Sequence, residues 1–200
     1  MRISSKGFVI KEICNEEEFA NVFKVFREYP YNEKWPDDEI KQEFVHLKSN
    51  GKVYGYYIDN QCVGLISFYE MIENEHPVVF DKTKKVLYFS DVAVLPEYRN
   101  NGIASNLIKF MIFYSEIHHY DVIYMRTVQP ALSMSYPIVV RMGFKIMNGA
   151  IENRKMERTS GKVETDARIF LNYDVKGGFI NHGWSYPPWN QRSKRIFNFL

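Results

Sequence analysis

One stretch of the chain, residues 86–127, restricts the fold more than any other. A β-rich run covers residues 86–94 and stops before Pro96, and an apolar helix pattern begins near Gly102 and continues to about residue 119. A second β-rich run follows at residues 121–127. Two strands joined through a helix lie parallel in one sheet, because a parallel pair needs a crossover connection. The chain is therefore predicted to contain one βαβ unit.

The elements on either side of this unit predict hairpin connections rather than further crossovers. We therefore expect an α/β fold with a mixed, mostly antiparallel central sheet that contains one parallel βαβ unit. In chain order the predicted elements are a strand at 9–13, helices at 15–29 and 37–50, a hairpin of 53–58 with 62–69, the βαβ unit, a helix ending before Gly143, and strands near 144–148 and 168–174.

Charge and cysteine content exclude several classes of protein. The chain has 200 residues, enough for one domain, and its net charge of +2 is too small for binding nucleic acid through bulk electrostatics. Two cysteines, Cys14 and Cys62, cannot build a disulfide framework or a CxxC zinc site. No apolar run has the length of a signal peptide or a membrane span. We expect a soluble cytoplasmic protein with no metal, membrane or nucleic-acid partner.

The loop inside the βαβ unit has the character of an anion-binding site. In residues 91–104 a strand ends, a short loop follows, and a helix opens at Gly102. The first N–H groups of a helix have no partner within it and carry positive potential, so a phosphate fits there. Gly102 and Ala104 allow close approach, and Arg99 can add a charge-assisted bond. The loop lacks the residues of a Walker loop or a dinucleotide fingerprint, and an ordinary strand–loop–helix corner is the alternative interpretation.

Two short motifs resemble those of the GNAT superfamily of acyl-CoA N-acyltransferases. Residues 99–104, Arg-Asn-Asn-Gly-Ile-Ala, match its Arg/Gln-x-x-Gly-x-Gly/Ala loop, and the turn Val94-Leu95-Pro96 precedes them as in many members. The run Arg141-Met142-Gly143-Phe144 is similar to a second family motif. The predicted order of elements also matches, so the resemblance covers about residues 8–174.

The resemblance implies acetyl-CoA as the co-substrate, bound without a metal. Its pantetheine arm would pair with the strand end at Val92, Ala93 and Val94, and the Val94 N–H would polarise the thioester carbonyl. Arg99 would lie beside the pyrophosphate. The pyrophosphate itself would lie on the backbone amides at the start of the helix, which belong to Asn100, Asn101, Gly102, Ile103 and Ala104.

The resemblance also implies groups that move protons during attack of an amine on the thioester. Family members usually place a tyrosine acid four residues before the glycine of the second motif, where this chain has Val139. Tyr136, about one turn earlier, is the candidate acid, with a packing role as the alternative; Pro137 requires the helix to start late or to bend. Asp91 is the candidate base or amine-orienting carboxylate, and the alternative is that it orders the strand end or a neighbouring loop. Ser90 or a chain of waters are the other candidates for the base.

The implied reaction is transfer of an acetyl group to a primary amine, which we expect to belong to a small molecule. Tyr29, Tyr31 and Trp35 fall where the family builds its acceptor wall, and their rings suit an apolar or cationic amine. A protein or peptide N-acetyltransferase differs only in its acceptor. A non-catalytic acyl-CoA sensor is the alternative from another class, and Val139 is the residue that favours it.

The last part of the chain differs in composition from the rest. The resemblance implies a GNAT-like acetyltransferase domain at residues 1–175, which leaves residues 176–200 as an aromatic C-terminal arm. Trp184, Tyr186 and Trp189 are unfavourable in water, so we expect them to pack against the domain, cover an acceptor cleft or contact a second subunit in a homodimer.

Overall fold

A computed structural model of the chain describes residues 7–28, 32, 36–71, 80–128, 135–157 and 163–176. The expected acceptor wall of Tyr29, Tyr31 and Trp35 lies outside the described residues, as does the arm beyond residue 176. Within the described part, a seven-stranded sheet combines with four α-helices and one 3₁₀ turn. These are β1 (Phe8–Glu12), α1 (Glu16–Arg27), α2 (Asp37–Asn50), β2 (Gly51–Ile58), β3 (Gln61–Glu70), β4 (Val86–Val94), the 3₁₀ turn (Pro96–Tyr98), α3 (Ile103–Ile117), β5 (Val122–Val128), α4 (Tyr136–Arg141), β6 (Lys145–Glu157) and β7 (Val163–Asp174).

The sheet confirms the predicted mixed topology and adds one feature to it. The strand order is β1-β2-β3-β4-β5-β7-β6, and β4 and β5 form the parallel pair. Every other neighbouring pair is antiparallel. The last strand of the described residues, β7, lies between β5 and β6, inside the sheet rather than at its edge.

Local sequence explains where the first helix begins. The Asn15 side chain accepts a hydrogen bond from the Glu18 N–H at 2.8 Å, and the Glu18 carboxylate accepts one from the Cys14 N–H at 2.8 Å. This reciprocal capping satisfies N–H groups that a helix start otherwise leaves without partners. Acidic residues in the first turn also interact favourably with the helix dipole.

Helices cover both faces of the sheet. On one face the ring of Tyr54 packs against Phe110 and the ring of Phe68 against Tyr114, with centroids 4.7 and 4.9 Å apart, which places α3 there. Because side chains alternate along a strand, Ser67 points to the opposite face, as do Leu65 and Tyr69, two residues away on either side. The helices α1 and α2 pack against β2 and β3 there, and their own contact is a cluster of phenylalanines around Phe44.

The parallel pair is short, so the sheet opens at its centre. In the described part of the chain, β4 and β5 pair only from Val86 with Val122 to Tyr88 with Tyr124. Beyond that point β4 stays on β3 as far as Val94, and β5 stays on β7 as far as Val128. The two halves of the sheet therefore diverge toward the carboxyl ends of β4 and β5. No helix of the described residues has the length and apolar character needed to cross a membrane.

Candidate active site

The diverging edge of β4 presents backbone groups to the opening. The Leu95 N–H donates to the Val63 carbonyl of β3 at 3.0 Å. Backbone groups alternate in direction along an antiparallel strand, so Ala93 also faces β3, while Val92 and Val94 face the side from which β5 has separated. Those two residues are the ones whose backbone can bind an added extended chain.

A β-bulge in β4 determines where Asp91 points. Asp91 is opposite Ser67 in the ladder, whereas the next pair is Phe89 with Phe68, so Ser90 is the extra residue. The Ser67 and Ser90 hydroxyls donate to the same Asp91 carboxylate oxygen, Oδ2, at 2.8 and 2.7 Å. Asp91 is 8% exposed, so a carboxylate is held in a fixed position beside the opening, on the face away from α3.

The loop after β4, the candidate anion cradle, is the segment predicted to bind an anion, and its binding role stays a prediction. Asn100 and Gly102 have positive φ angles of 63° and 78°, and α3 begins directly after Gly102. The first helical hydrogen bond reaches back from Asn106 to the Gly102 carbonyl at 2.9 Å, so the N–H groups of Ile103 to Ser105 have no acceptor within α3. A side chain added at Gly102 would meet no described atom within 4 Å, which leaves open space over these amides.

Side chains of the same loop hold its carbonyl groups. The Asn101 amide donates to the carbonyls of Tyr98 and Arg99 at 3.1 and 3.0 Å. The Arg99 Nε donates to the Val94 carbonyl at 3.0 Å, and Arg99 Nη2 lies 3.7 Å from a Glu28 oxygen. Arg99 thus fixes the loop to β4 and to the end of α1, and its predicted role beside a phosphate stays a prediction.

The candidate acid lies at the start of α4. Tyr136 is the first residue of this helix, and Pro137 occupies the first turn, where the missing N–H is tolerated; of the two expected arrangements, the helix starts late rather than bending. Val139 is fully buried, so the position at which the family usually has its tyrosine points into the core. Tyr136 is partly buried against that core, and its role as an acid stays a prediction.

Two site features were missed by the sequence analysis. The strand that contains the bulge at Ser90 has no glycine or proline, the residues that would have indicated a bulge in the sequence. Arg126 on β5 donates from Nε to the Tyr88 hydroxyl at 2.9 Å, at the point where the strands separate. A charged residue within the apolar run Val122–Val128 was the available signal for it. Across the described residues, no three metal-binding side chains come together.

Known proteins share parts of this sequence and this fold. Residues 16–144 match the family described as "Acetyltransferase (GNAT) family". An uncharacterized N-acetyltransferase of Oceanobacillus iheyensis is 28% identical over 88 residues, which cover 44% of this chain and 54% of that protein. The chain thus spans about half the length of the curated relatives it matches.

Solved structures share the fold at low sequence identity. The ribosomal-protein-S18-alanine N-acetyltransferase of Escherichia coli has a TM-score of 0.62 and 12% identity, covering 84% of this chain and 94% of that one. A GNAT family acetyltransferase of Elizabethkingia anophelis, crystallised with acetyl-CoA bound, has a TM-score of 0.59 and 16% identity, covering 84% and 97%. The family match over most of the chain, on this sheet and with this loop, shows that the chain belongs to the GNAT family of acetyltransferases.

Proposed function

We propose that the chain is an N-acetyltransferase that moves the acetyl group of acetyl-CoA to a primary amine of a small molecule. The observation that carries the proposal is the position of the cradle: it adjoins the end of β4, where Val92 and Val94 face the opening. A diphosphate on the α3 amides would leave its pantetheine arm directed along that strand edge.

The cradle suits a diphosphate for electrostatic reasons. The first turns of α1 and α2 contain acidic residues, but the first turn of α3 has none to oppose an anion. The loop's carbonyls are engaged by Asn101 and Arg99, so the loop offers N–H groups to a ligand. We assign the diphosphate to the backbone of Asn100, Asn101, Gly102, Ile103 and Ala104.

The strand edge supplies the group that activates the thioester. Arg99 occupies the Val94 carbonyl, so the Val94 N–H is the polar group of that residue available to the opening. Donation from this N–H to the thioester carbonyl would stabilise the negative charge that develops on the oxygen during attack. Acetyl-CoA supplies the electrophilic acyl carbon and the thiolate leaving group.

Asp91 and Tyr136 are the proposed proton-transfer residues. Asp91 would take the proton that the amine loses, directly or through water, because its carboxylate is fixed by two hydroxyls beside the opening. Tyr136 would give a proton to the departing thiolate from the start of α4. We expect Asp91→Asn to lower kcat by about 100-fold, the lower range for a positioned acid or base, while acetyl-CoA affinity stays the same.

A second candidate function is an acyl-CoA sensor without catalysis. The observation that favours it is the buried, apolar Val139 at the family's usual acid position. Release of the CoA thiol, measured with a panel of primary amines, separates the two functions. An enzyme releases thiol with at least one amine; a sensor binds acetyl-CoA and releases none with any of them.

A further inference from the structure

A guanidinium lies at the point where β4 and β5 separate. Arg126 is partly buried; its Nε donates to the Tyr88 hydroxyl at 2.9 Å, and the guanidinium carbon lies 5.6 Å from the centroid of the same ring. Among the described residues, no carboxylate forms an ion pair with it. A guanidinium has five N–H donors, so this phenol uses only a small part of its capacity.

In the part of the chain that the structure describes, the partly buried Arg126 lacks the ion-pair partner that a charge removed from water usually has. Charged side chains that leave water are ordinarily paired, because removing the charge from water is unfavourable. The side chains of Tyr69, Tyr88 and Tyr124 line this part of the sheet and offer ring faces but no negative charge. Arginine stays protonated even here, so Arg126 places a positive charge on the β5 side of the opening.

Arg126 shares the sheet face of Asp91. Tyr88 is opposite Tyr69 on β3 and Tyr124 on β5, and side chains in register point to the same face. On β3, Ser67 is two residues from Tyr69, so Asp91, which is opposite Ser67, points to the face of Tyr69. On β5, Arg126 is two residues beyond Tyr124 and points to the same face. A carboxylate on β4 and a guanidinium on β5 therefore flank the opening, on the side that α3 does not cover.

We propose that Arg126 binds a carboxylate of the acceptor, so that the substrate class is an amino acid whose amine receives the acetyl group. This inference rests on the proposed acetyl transfer. The planar fork of a guanidinium pairs with a carboxylate through two parallel hydrogen bonds. Asp91 attracts the ammonium end and repels a second carboxylate, so the zwitterion has one favourable orientation across the opening.

Kinetics with matched acceptors test the inference. The protein's initial rate of thiol release is measured with free amino acids, including β-alanine and 4-aminobutyrate, and with the carboxamide of each. We expect kcat/KM to favour the acids by at least about tenfold, which corresponds to about 1.4 kcal/mol. Equal rates for acids and carboxamides would overturn the carboxylate site while leaving acetyl transfer intact.

Substitution of Arg126 tests whether this residue causes the preference for acids over carboxamides. Arg126→Gln should raise the KM for the acids to that of the carboxamides, with kcat and acetyl-CoA affinity little changed, and Arg126→Lys should restore part of the preference. Lys24→Gln, which removes the same charge from an exposed position on α1, should change neither. An unaltered preference in Arg126→Gln contradicts the inference. Tyr88→Phe keeps the charge and should raise the KM for the acids by a smaller factor.

Binding measurements keep the inference testable if no amine is acetylated. The same amino acids are titrated into the protein saturated with CoA. If an amino acid binds the wild type but not Arg126→Gln, the result supports an amino-acid site even though the proposed enzyme activity has failed. Binding of none would overturn the inference. O-Phosphoethanolamine, tested beside β-alanine, distinguishes the anion: a preference for the phosphate would contradict a carboxylate site.

Discussion

Gly102 combines a backbone conformation that side chains disfavour with open space where a side chain would lie. Its φ of 78° lies in the left-handed region, and a Cβ there would meet no described atom within 4 Å. The positive φ explains why this residue is a glycine, and the open space would admit a ligand close to the backbone. Residue chemistry and loop spacing predicted the glycine and the helix start after it, because both are local properties, while anion binding there stays a prediction.

We predict that Gly102→Val prevents acetyl-CoA binding while the protein stays folded. The branched side chain would occupy the place of the diphosphate, so the Kd should rise at least about tenfold in titration calorimetry. The unfavourable φ should lower the free energy of unfolding by about 1–2 kcal/mol. Gly143→Ala, at a φ of 95° outside the cradle, is the control for backbone strain and should bind acetyl-CoA normally. A folded Gly102→Val with full affinity would show that the cradle is misplaced.

Cys62 is predicted to make stability depend on pH in alkaline solution. Burial raises the pKa of its thiol to about 11, and the thiol donates to the Gly64 carbonyl at 3.3 Å. The unfolded chain ionises at the ordinary thiol pKa of 9.0 while the folded chain stays protonated, so stability is lost as pH rises from 9.0 toward about 11. The full loss is about 3 kcal/mol for a shift of this size.

Urea unfolding at pH 8 and pH 11 measures this loss. Cys62→Ala lacks the thiol, so its stability should fall by about 2 kcal/mol less than that of the wild type between these two pH values, because the folded thiol is only half ionised at pH 11. The comparison uses the difference between the two pH values, which removes the constant effect of the smaller side chain. A parallel fall in both proteins would mean that Cys62 does not titrate in this way.

At the level of elements, local sequence patterns predicted individual strands and helices but not every pairing between strands. The strand β4 was predicted over its observed range, Val86–Val94, because β-branched residues and Pro96 mark it within a few positions. The insertion of β7 between β5 and β6 has no local signal, since it depends on pairing between distant segments. The bulge at Ser90 has none either, although it places Asp91 on the face of Tyr88.

Phe44 of α2 is the centre of the aromatic contact between α1 and α2. Phe44 stacks on Phe19 with centroids 3.7 Å apart and meets the edge of Phe26 at 5.8 Å. We predict that Phe44→Ala lowers the free energy of unfolding in urea by about 3–5 kcal/mol, because it leaves a cavity between the helices. Val45→Ala, at the neighbouring position with 56% exposure, should change it by no more than about 0.5 kcal/mol. Equal effects of the two substitutions would contradict this packing.

At the scale of the whole molecule, we propose that the domain at residues 1–175 folds without the arm. The described end of the chain is fixed to β5: the Val175 N–H donates to the Asp121 carbonyl at 3.0 Å, and Lys176 Nζ lies 2.7 Å from an Asp121 oxygen. A chain ending at Lys176 should therefore unfold cooperatively and bind acetyl-CoA with unchanged affinity. Aggregation or loss of cooperative unfolding would show that the arm belongs to the domain.

Within the part of the chain that the structure describes, the two halves of the sheet are paired only through three residue pairs, from Val86 with Val122 to Tyr88 with Tyr124. A ligand that fills the opening adds contacts to both halves, so its binding energy should stabilise the fold as one unit. At 100 times the Kd, acetyl-CoA should add about 2.7 kcal/mol and raise the thermal midpoint by about 5–11 °C.

Hydrogen exchange shows whether that stabilisation arises at the opening. Protection should increase at the amides of Val92 and Val94 and at those of Ile103 to Ser105, because these are the groups assigned to the ligand. The amides of β6, at the far edge of the sheet, should change least. Gly102→Val should show neither the thermal shift nor the protection. Protection confined to another part of the chain would mean that acetyl-CoA binds elsewhere, since a ligand protects first the amides that it contacts.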